Sequence, residues 1–581
     1  MTVLLDGIKA LGSHAFTLAG ILLIMIWGEF IVYWLLEKIF DNRISDSEYF
    51  SLSAVGWVIP VSFWVVFLFL GRILFGEIAG RVLALILIPI PFIIGFKRIK
   101  RISLSSLGLA ALFIIFLILN FAFLERAVFP SYFDSAEHYR LITDILKSNQ
   151  FVPSNSGNYY HLGYHFIAAA FVYFFNLPLL DVMLVFGQVL LSALPLSLFF
   201  IIKQETNSVT VGLFTVLIAG LGWHMPFHVL NWGKYPALLG LVCIHFVLGL
   251  LYLSYRNRIA NFKIYLLFAA AIAFSTLIHS RTLIVYLLLL VAFLITNLVK
   301  RLPAFRILFI LAVGILIVEI YFIWQSDVLR TLVNSYVQND IWMLAALFLL
   351  LIFAIRSYSK AAFLMLIWLD LILLSLFVPI ELSSYGKLTL LDRPFVQMLA
   401  YLPLTIIAGL GFSGLLKFIE RFFPSRSLPA YLTVFISLGL VILNASLNRE
   451  FYPSNCCQLV SRDDLAAFAW MDENLPPDAN ILIASSSLYV TSFETANTRS
   501  GIDGGIWITP LISRKTTLAW NGLAFDSAET HLQICAQNLS HLYVGGTPQS
   551  FNAAQLDSFP DRYQPVFLLP TAKVYRITGC D

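Results

Sequence analysis

Apolar runs of about 17 to 25 residues recur along this chain from Ala15 to Leu443, each long enough as a helix to cross roughly 30 Å of hydrocarbon. Such a layer admits only helices and closed barrels, because an unpaired backbone polar group there finds no water. The 581 residues are 59% hydrophobic and 12% charged, with a mean hydropathy of +0.85, which excludes an ordinary water-exposed surface. The expectation is a polytopic α-helical membrane protein of about 14 spanning helices, both termini external. After Leu443 the pattern stops. Residues 448–581 alternate short apolar runs with polar turns and predict a water-soluble C-terminal α/β domain. The first residues lack a basic start and a small-residue cleavage site, so no cleavable signal peptide is expected.

The net charge of +4 is too small to point to nucleic acid, but the placement of Lys and Arg orients the chain. The densest basic run, Lys97, Arg98, Lys100 and Arg101, is placed in the cytoplasm, which sends the next helix outward and leaves residues 125–180 as an external loop. Lys203, Arg256, Lys300, Arg356, Lys360 and Lys417 then also fall inside, provided that the apolar segment 161–176 does not cross. It is therefore expected to lie in the outer interface, ending at Asn176-Leu177-Pro178. Three regions result: spanning helices at 1–103, a transmembrane catalytic region at 104–447, and the extracytoplasmic domain at 448–581.

The external loop carries the densest chemistry. Phe129-Pro130-Ser131-Tyr132-Phe133-Asp134-Ser135-Ala136-Glu137-His138-Tyr139-Arg140 sets two carboxylates, an imidazole and a guanidinium just beyond a long apolar run. Asp134 and Glu137 also fit a helix capping box, followed by an amphipathic helix with Ile142, Ile145 and Leu146 on its apolar side. Farther on, Tyr160, His161 and His165 lie in an aromatic stretch that an interfacial belt explains for the tyrosines better than for the histidines. His161 and His165 share one helical face, but with no third ligand nearby no metal is assigned; the chemistry admits a divalent cation without requiring one. Later external turns add Lys234, His279, Arg281, Lys387 and Arg393, a set of cations fitted to an anion, although each alone fits a snorkelling side chain.

The tail is expected to hold a helix at 464–471, a strand at 480–484, a helix near 528–538, a strand and turn at 542–546, and a final hairpin at 566–577. Cys456, Cys457, Cys535 and Cys580 lie in it, predicting at least one disulfide, with Cys580 as a natural tie for the domain's end. Cys243 lies in a span and is read as packing.

The acidic first external loop, the aromatic and histidine segment after it, and the C-terminal α/β region together resemble the GT-C fold of polyprenyl-phosphate-sugar-dependent glycosyltransferases, over most of residues 104–581. The resemblance implies an inner-membrane enzyme in which Asp134, or Glu137 after it, is the base. It also implies a lipid-linked sugar donor and a glycan, lipid or protein acceptor. The Trp-Trp-Asp-Tyr-Gly signature of oligosaccharyltransferases is absent. The chemistry agrees with the residues: an acceptor hydroxyl needs a base, and a departing phosphate needs positive charge, which His138, Tyr160, His161, His165, Lys234, His279, Arg281, Lys387 and Arg393 would help to supply or position. A transporter or flippase, or a ligase or polymerase of lipid-linked polysaccharide, is the alternative expectation.

Overall fold

The computed structural model describes the chain apart from residues 1, 41–43, 91, 93–102, 149, 151–160, 258–261, 301–309, 311–312, 315–316, 318–320, 322–323, 338–340, 383–385, 424–427, 489–498 and 581, and apart from the side chains of residues 300, 341, 382, 386 and 387. It divides into two compact units. The first holds residues 1–122, 145–229 and 235–451; the second holds residues 123–144, 230–234 and 452–581.

Among the described residues nine helices are long and apolar enough to cross a membrane, and the chain is a helical, multi-pass membrane protein. Helix Leu104–Arg126 is apolar all round: Leu109, Phe116 and Phe121 are fully buried, while Ile114 and Ile115 lie exposed on the opposite side. Among the described residues the expected count of about 14 is not reached; the expected span at 80–96 and the apolar stretch after Arg306 lie partly outside those residues. Arg356 and Lys360, read as a loop between two spans, flank a break at Tyr358 (φ −140°, ψ 48°), where two helices meet within Ile341–Leu374, a stretch that enters the nine once. In addition, Val209–Leu221 and Phe262–Ile278, apolar helices of 13 and 17 residues, are not among the nine, and neither is Gly163–Phe175, which was not expected to cross.

Helix Gly163–Phe175 has 13 residues, about 20 Å of rise. Asn176 ends it in the left-handed conformation (φ 56°), and Pro178 caps the next helix, Leu179–Ala193. The sequence signal Asn-Leu-Pro thus acts where expected. The helix is nonetheless packed among Val58–Phe75, Leu179–Ala193, Tyr235–Asn257 and Phe262–Ile278, with Tyr164, His165, Ile167, Ala168 and Phe171 buried.

A two-stranded hairpin, β1 (Pro379–Leu382) and β2 (Gly386–Thr389), replaces what reads in sequence as a simple turn. The second unit contains a six-stranded sheet built from β3 (Asn480–Ser487), β4 (Arg499–Gly501), β5 (Lys515–Trp520), β6 (His541–Val544), β7 (Tyr563–Leu568) and β8 (Lys573–Ile577). β3 runs parallel to both β5 and β6, so each neighbour is reached through helical connections, including Ala528–Ala536 between β5 and β6. β6, β8 and β7 then continue the sheet antiparallel. Being covered on both sides, β3 reads as an apolar run, Ile481-Leu482-Ile483-Ala484, all buried. Cys535 and Cys580 form a disulfide with Cα atoms 5.3 Å apart, and Cys456 pairs with Cys457. Cys243 is a buried free thiol.

Candidate functional site

The acidic loop folds into helix Tyr132–Lys147, of which residues 132–144 belong to the second unit. Its start corrects the capping-box reading. The helix begins at Tyr132, whose φ is +66°, so Asp134 lies inside the first turn instead of capping it, where the helix dipole favours its charge. Glu137 does not reach back either: it receives Arg140 Nη2 at 2.5 Å and Nε at 2.9 Å, and Arg140 also donates to Asp144 at 2.9 Å.

Asp134 forms an ion pair with Lys234, both mostly buried. The ammonium is brought there by Gly233, which adopts φ +63° and lies so close to the helix start that an added Cβ would stand 2.9 Å from the Ser131 carbonyl oxygen and 3.0 Å from the Ser135 amide. The neighbouring residues fix the rest of the unit. Tyr132 donates its amide to the Cys457 carbonyl at 2.8 Å, and the buried Trp507 ring takes Phe129 and Tyr139 edge-on at 4.9 and 5.6 Å. His138 is buried on the same helix.

In the first unit three of the other expected residues come together. Gly163 makes this approach: a Cβ there would stand 2.9 Å from the backbone of Ile278, so the start of helix Gly163–Phe175 lies directly on the turn before Arg281. His161 and His279 consequently face each other with ring centroids 4.4 Å apart, and His279 stacks on Phe395 at 4.7 Å. Burial, followed by the nearby Arg281 charge, holds the His161 imidazole down to about 4, so it is neutral near pH 7. Arg281 donates to Asp392 at 2.5 Å, and Asp392 also caps helix Arg393–Leu399 by accepting from the Phe395 amide at 2.9 Å. Arg393 opens that helix. His165 is fully buried against Tyr164, which stacks between Phe186 and Tyr235. Tyr160 and the Lys387 side chain lie outside the described residues.

Sequence reasoning passed over a second polar group of the first unit, made by His224, His228 and Glu450. His228 Nδ1 is 3.0 Å from Glu450 Oε2, and the two imidazoles lie 4.6 Å apart. The hydrogen bond with His228 holds the Glu450 carboxyl below its usual range, keeping it ionised. Next to it, Arg449 lies between the rings of Phe227 (3.7 Å) and Phe451 (5.0 Å) and donates to Asn120 at 2.6 Å. The spacing of His224 and His228 was visible in the sequence, but Glu450 is 222 positions from His228 and carries no local signal of the pairing. Comparison of the sequence with protein-family models and with curated proteins finds no match.

Proposed function

We propose that this chain is a membrane glycosyltransferase that moves a sugar from a polyprenyl-phosphate donor to an acceptor hydroxyl. The observation that carries the reading is Asp134: a carboxylate 19% exposed, fixed in the first turn of a helix and held by an ammonium that is itself 23% exposed. A carboxylate held in this way is pre-positioned for proton transfer. The acceptor oxygen attacks the anomeric carbon, the bond from that carbon to the phosphate oxygen breaks, and the polyprenyl phosphate leaves with the electron pair. The hydroxyl proton goes to Asp134, and a single displacement inverts the anomeric centre.

Lys234 orients the carboxylate through Oδ2, and His138 lies on the same helix. Arg281, Arg393 and Lys387 are assigned to the donor phosphate on charge alone, with His161, His279, His165 and Tyr160 as accompanying polar and aromatic groups. The resemblance of the loop to GT-C enzymes supports the same assignment, as does the absence of a Gly-rich nucleotide loop from the sequence. The Cys535–Cys580 disulfide supports an extracytoplasmic C-terminal region, and with it a reaction at the outer face of the plasma (inner) membrane.

The test is direct. Purified full-length protein in lipid nanodiscs is incubated with a panel of radiolabelled polyprenyl-phosphate sugars and lipid, glycan and peptide acceptors. Transfer from at least one lipid-linked donor is expected. Release or transfer from none of them, by protein that is folded and monodisperse, would overturn the proposal.

A further inference from the structure

His224, His228 and Glu450 bring a two-imidazole, one-carboxylate donor set to one place in the helical unit. The three residues lie on three different stretches. His224 follows helix Val209–Leu221, His228 lies in the short 3-10 turn Phe227–Leu230, and Glu450 comes two residues after helix Leu428–Asn448. One ligand atom from each lies within 4.8 Å of the other two. Around a tetrahedral zinc ion with bonds of about 2.1 Å, ligand atoms stand roughly 3.4 Å apart. The His228 and Glu450 atoms, at 3.0 Å, are already near that spacing, and the His224 atom, within 4.8 Å of both, needs a shift of no more than about 1.4 Å, within the reach of an imidazole rotation.

Two further observations favour an ion over a simple hydrogen-bonded pair. A small cavity lined by Trp223, His224, Tyr336, Asn444, Asn448 and Arg449 adjoins His224 with room for a water-sized group, while His228 and Glu450 do not line it. The frame is also rigid: Arg449, adjacent to Glu450, is held between two rings and bonded to Asn120 and to the Gly220 carbonyl. The Arg449 charge opposes a cation, and the Glu450 carboxylate offsets it.

We propose that His224, His228 and Glu450 bind a first-row divalent cation, with zinc the best fit to the donor set. Imidazole and carboxylate together suit zinc, and three protein ligands leave an open position, whereas magnesium and calcium prefer all-oxygen sites. The site is independent of the glycosyl-transfer reading.

The experiment uses full-length protein, purified in detergent without reductant so that both cysteine pairs remain oxidised. It is stripped with EDTA, re-equilibrated with zinc alone, and assayed by elemental analysis and by competition with a chromophoric chelator. One zinc per chain is expected in the wild type, with at least a hundredfold weaker binding in His224→Ala and in Glu450→Gln. Glu450→Gln keeps an acceptor for His228, so it tests ligation with little disturbance to folding, and His531→Ala should keep full zinc. Cobalt in place of zinc should give visible bands of nitrogen and oxygen ligation without thiolate charge transfer. Zinc content unchanged in folded Glu450→Gln and His224→Ala, or no stoichiometric zinc in the wild type, would overturn the proposal.

Discussion

The two units differ in what they leave on the outside and in how they are cross-linked. In the helical unit, large apolar side chains remain on the outside of long helices, among them Phe16 and Phe435, each 72% exposed. Its ion pairs Arg281–Asp392 and His228–Glu450 lie at or beyond helix ends. Both units bury polar groups, among them Glu48, Gln188 and Arg449 in the helical unit; in the sheet unit Asp464 and Asp503 are fully buried, bonded by Tyr543 and by Ser550 with the Gly505 amide. Both disulfides also belong to this unit. Apolar side chains left on the outside suit helices set in lipid, where an exposed polar group is costly.

That comparison can be broken at several points. The largest effect is expected at Cys535–Cys580, whose ends are 45 positions apart. Closing a loop of that length is worth about 4 kcal/mol by chain entropy, so Cys580→Ala should loosen the sheet and leave the spanning helices as they were. Hydrogen exchange measured across both units checks this; equal loosening of the helices would contradict the division. Next comes Phe435→Asp in helix Leu428–Asn448, where a charge facing hydrocarbon costs about 3 kcal/mol on insertion scales. Leu532→Asp, at a similarly exposed position of the sheet unit, should cost under about 0.5 kcal/mol. Yields of membrane-inserted, monodisperse protein should separate the two, and equal yields would remove the lipid-facing assignment of Phe435.

Asp503 gives a smaller and pH-dependent effect. Burial raises its carboxyl from 3.8 to about 6, against the pull of Ser550 and the Gly505 amide. Because the folded value lies above the unfolded one, the stabilising contribution is full below about 4 and is lost as the pH rises through about 6. The whole change is worth about 3 kcal/mol. Protection of the β6 amides, corrected for intrinsic exchange, should be greater at pH 5 than at pH 7.5, and Asp503→Asn should flatten that dependence. The smallest effect belongs to Arg281, whose partner Asp392 is largely buried and already engaged as a helix cap. Arg281→Ala should lower thermal stability by about 1 to 2 kcal/mol and Arg281→Lys by less. Identical melting of both variants and wild type would show that the pair contributes nothing.

Much of the architecture was legible because it is local. Apolar length marks helix Leu104–Arg126, Asn176 and Pro178 mark a helix end, and strands β3 and β6 lie where apolar runs meet polar turns. β5, Lys515-Thr516-Thr517-Leu518-Ala519-Trp520, went unread because it is half-exposed and half-polar, and its strand character comes from pairing with β3. The candidate residues stood out in the sequence, and their partners did not. Asp134 stands out beside an apolar run, but its bond to Lys234 spans 100 positions and depends on Gly233, and the link from Arg281 to Asp392 spans 111. Long-range pairing of this kind leaves no periodicity behind.

The central claim is that Asp134 accepts the acceptor's proton, and the most direct measurement is sugar transfer by Asp134→Asn beside Glu137→Gln. Asn keeps the size and polarity of the side chain in the first helical turn while removing its basicity. Transfer should therefore fall by about a hundredfold to ten-thousandfold, with thermal stability lowered only by what the Lys234 pair contributes. Glu137, engaged with Arg140, should tolerate Gln with a loss under about tenfold, on the scale of a partly exposed ion pair. Near-normal transfer by a folded Asp134→Asn would contradict the account, and a large loss confined to Glu137→Gln would move the base three residues along the helix.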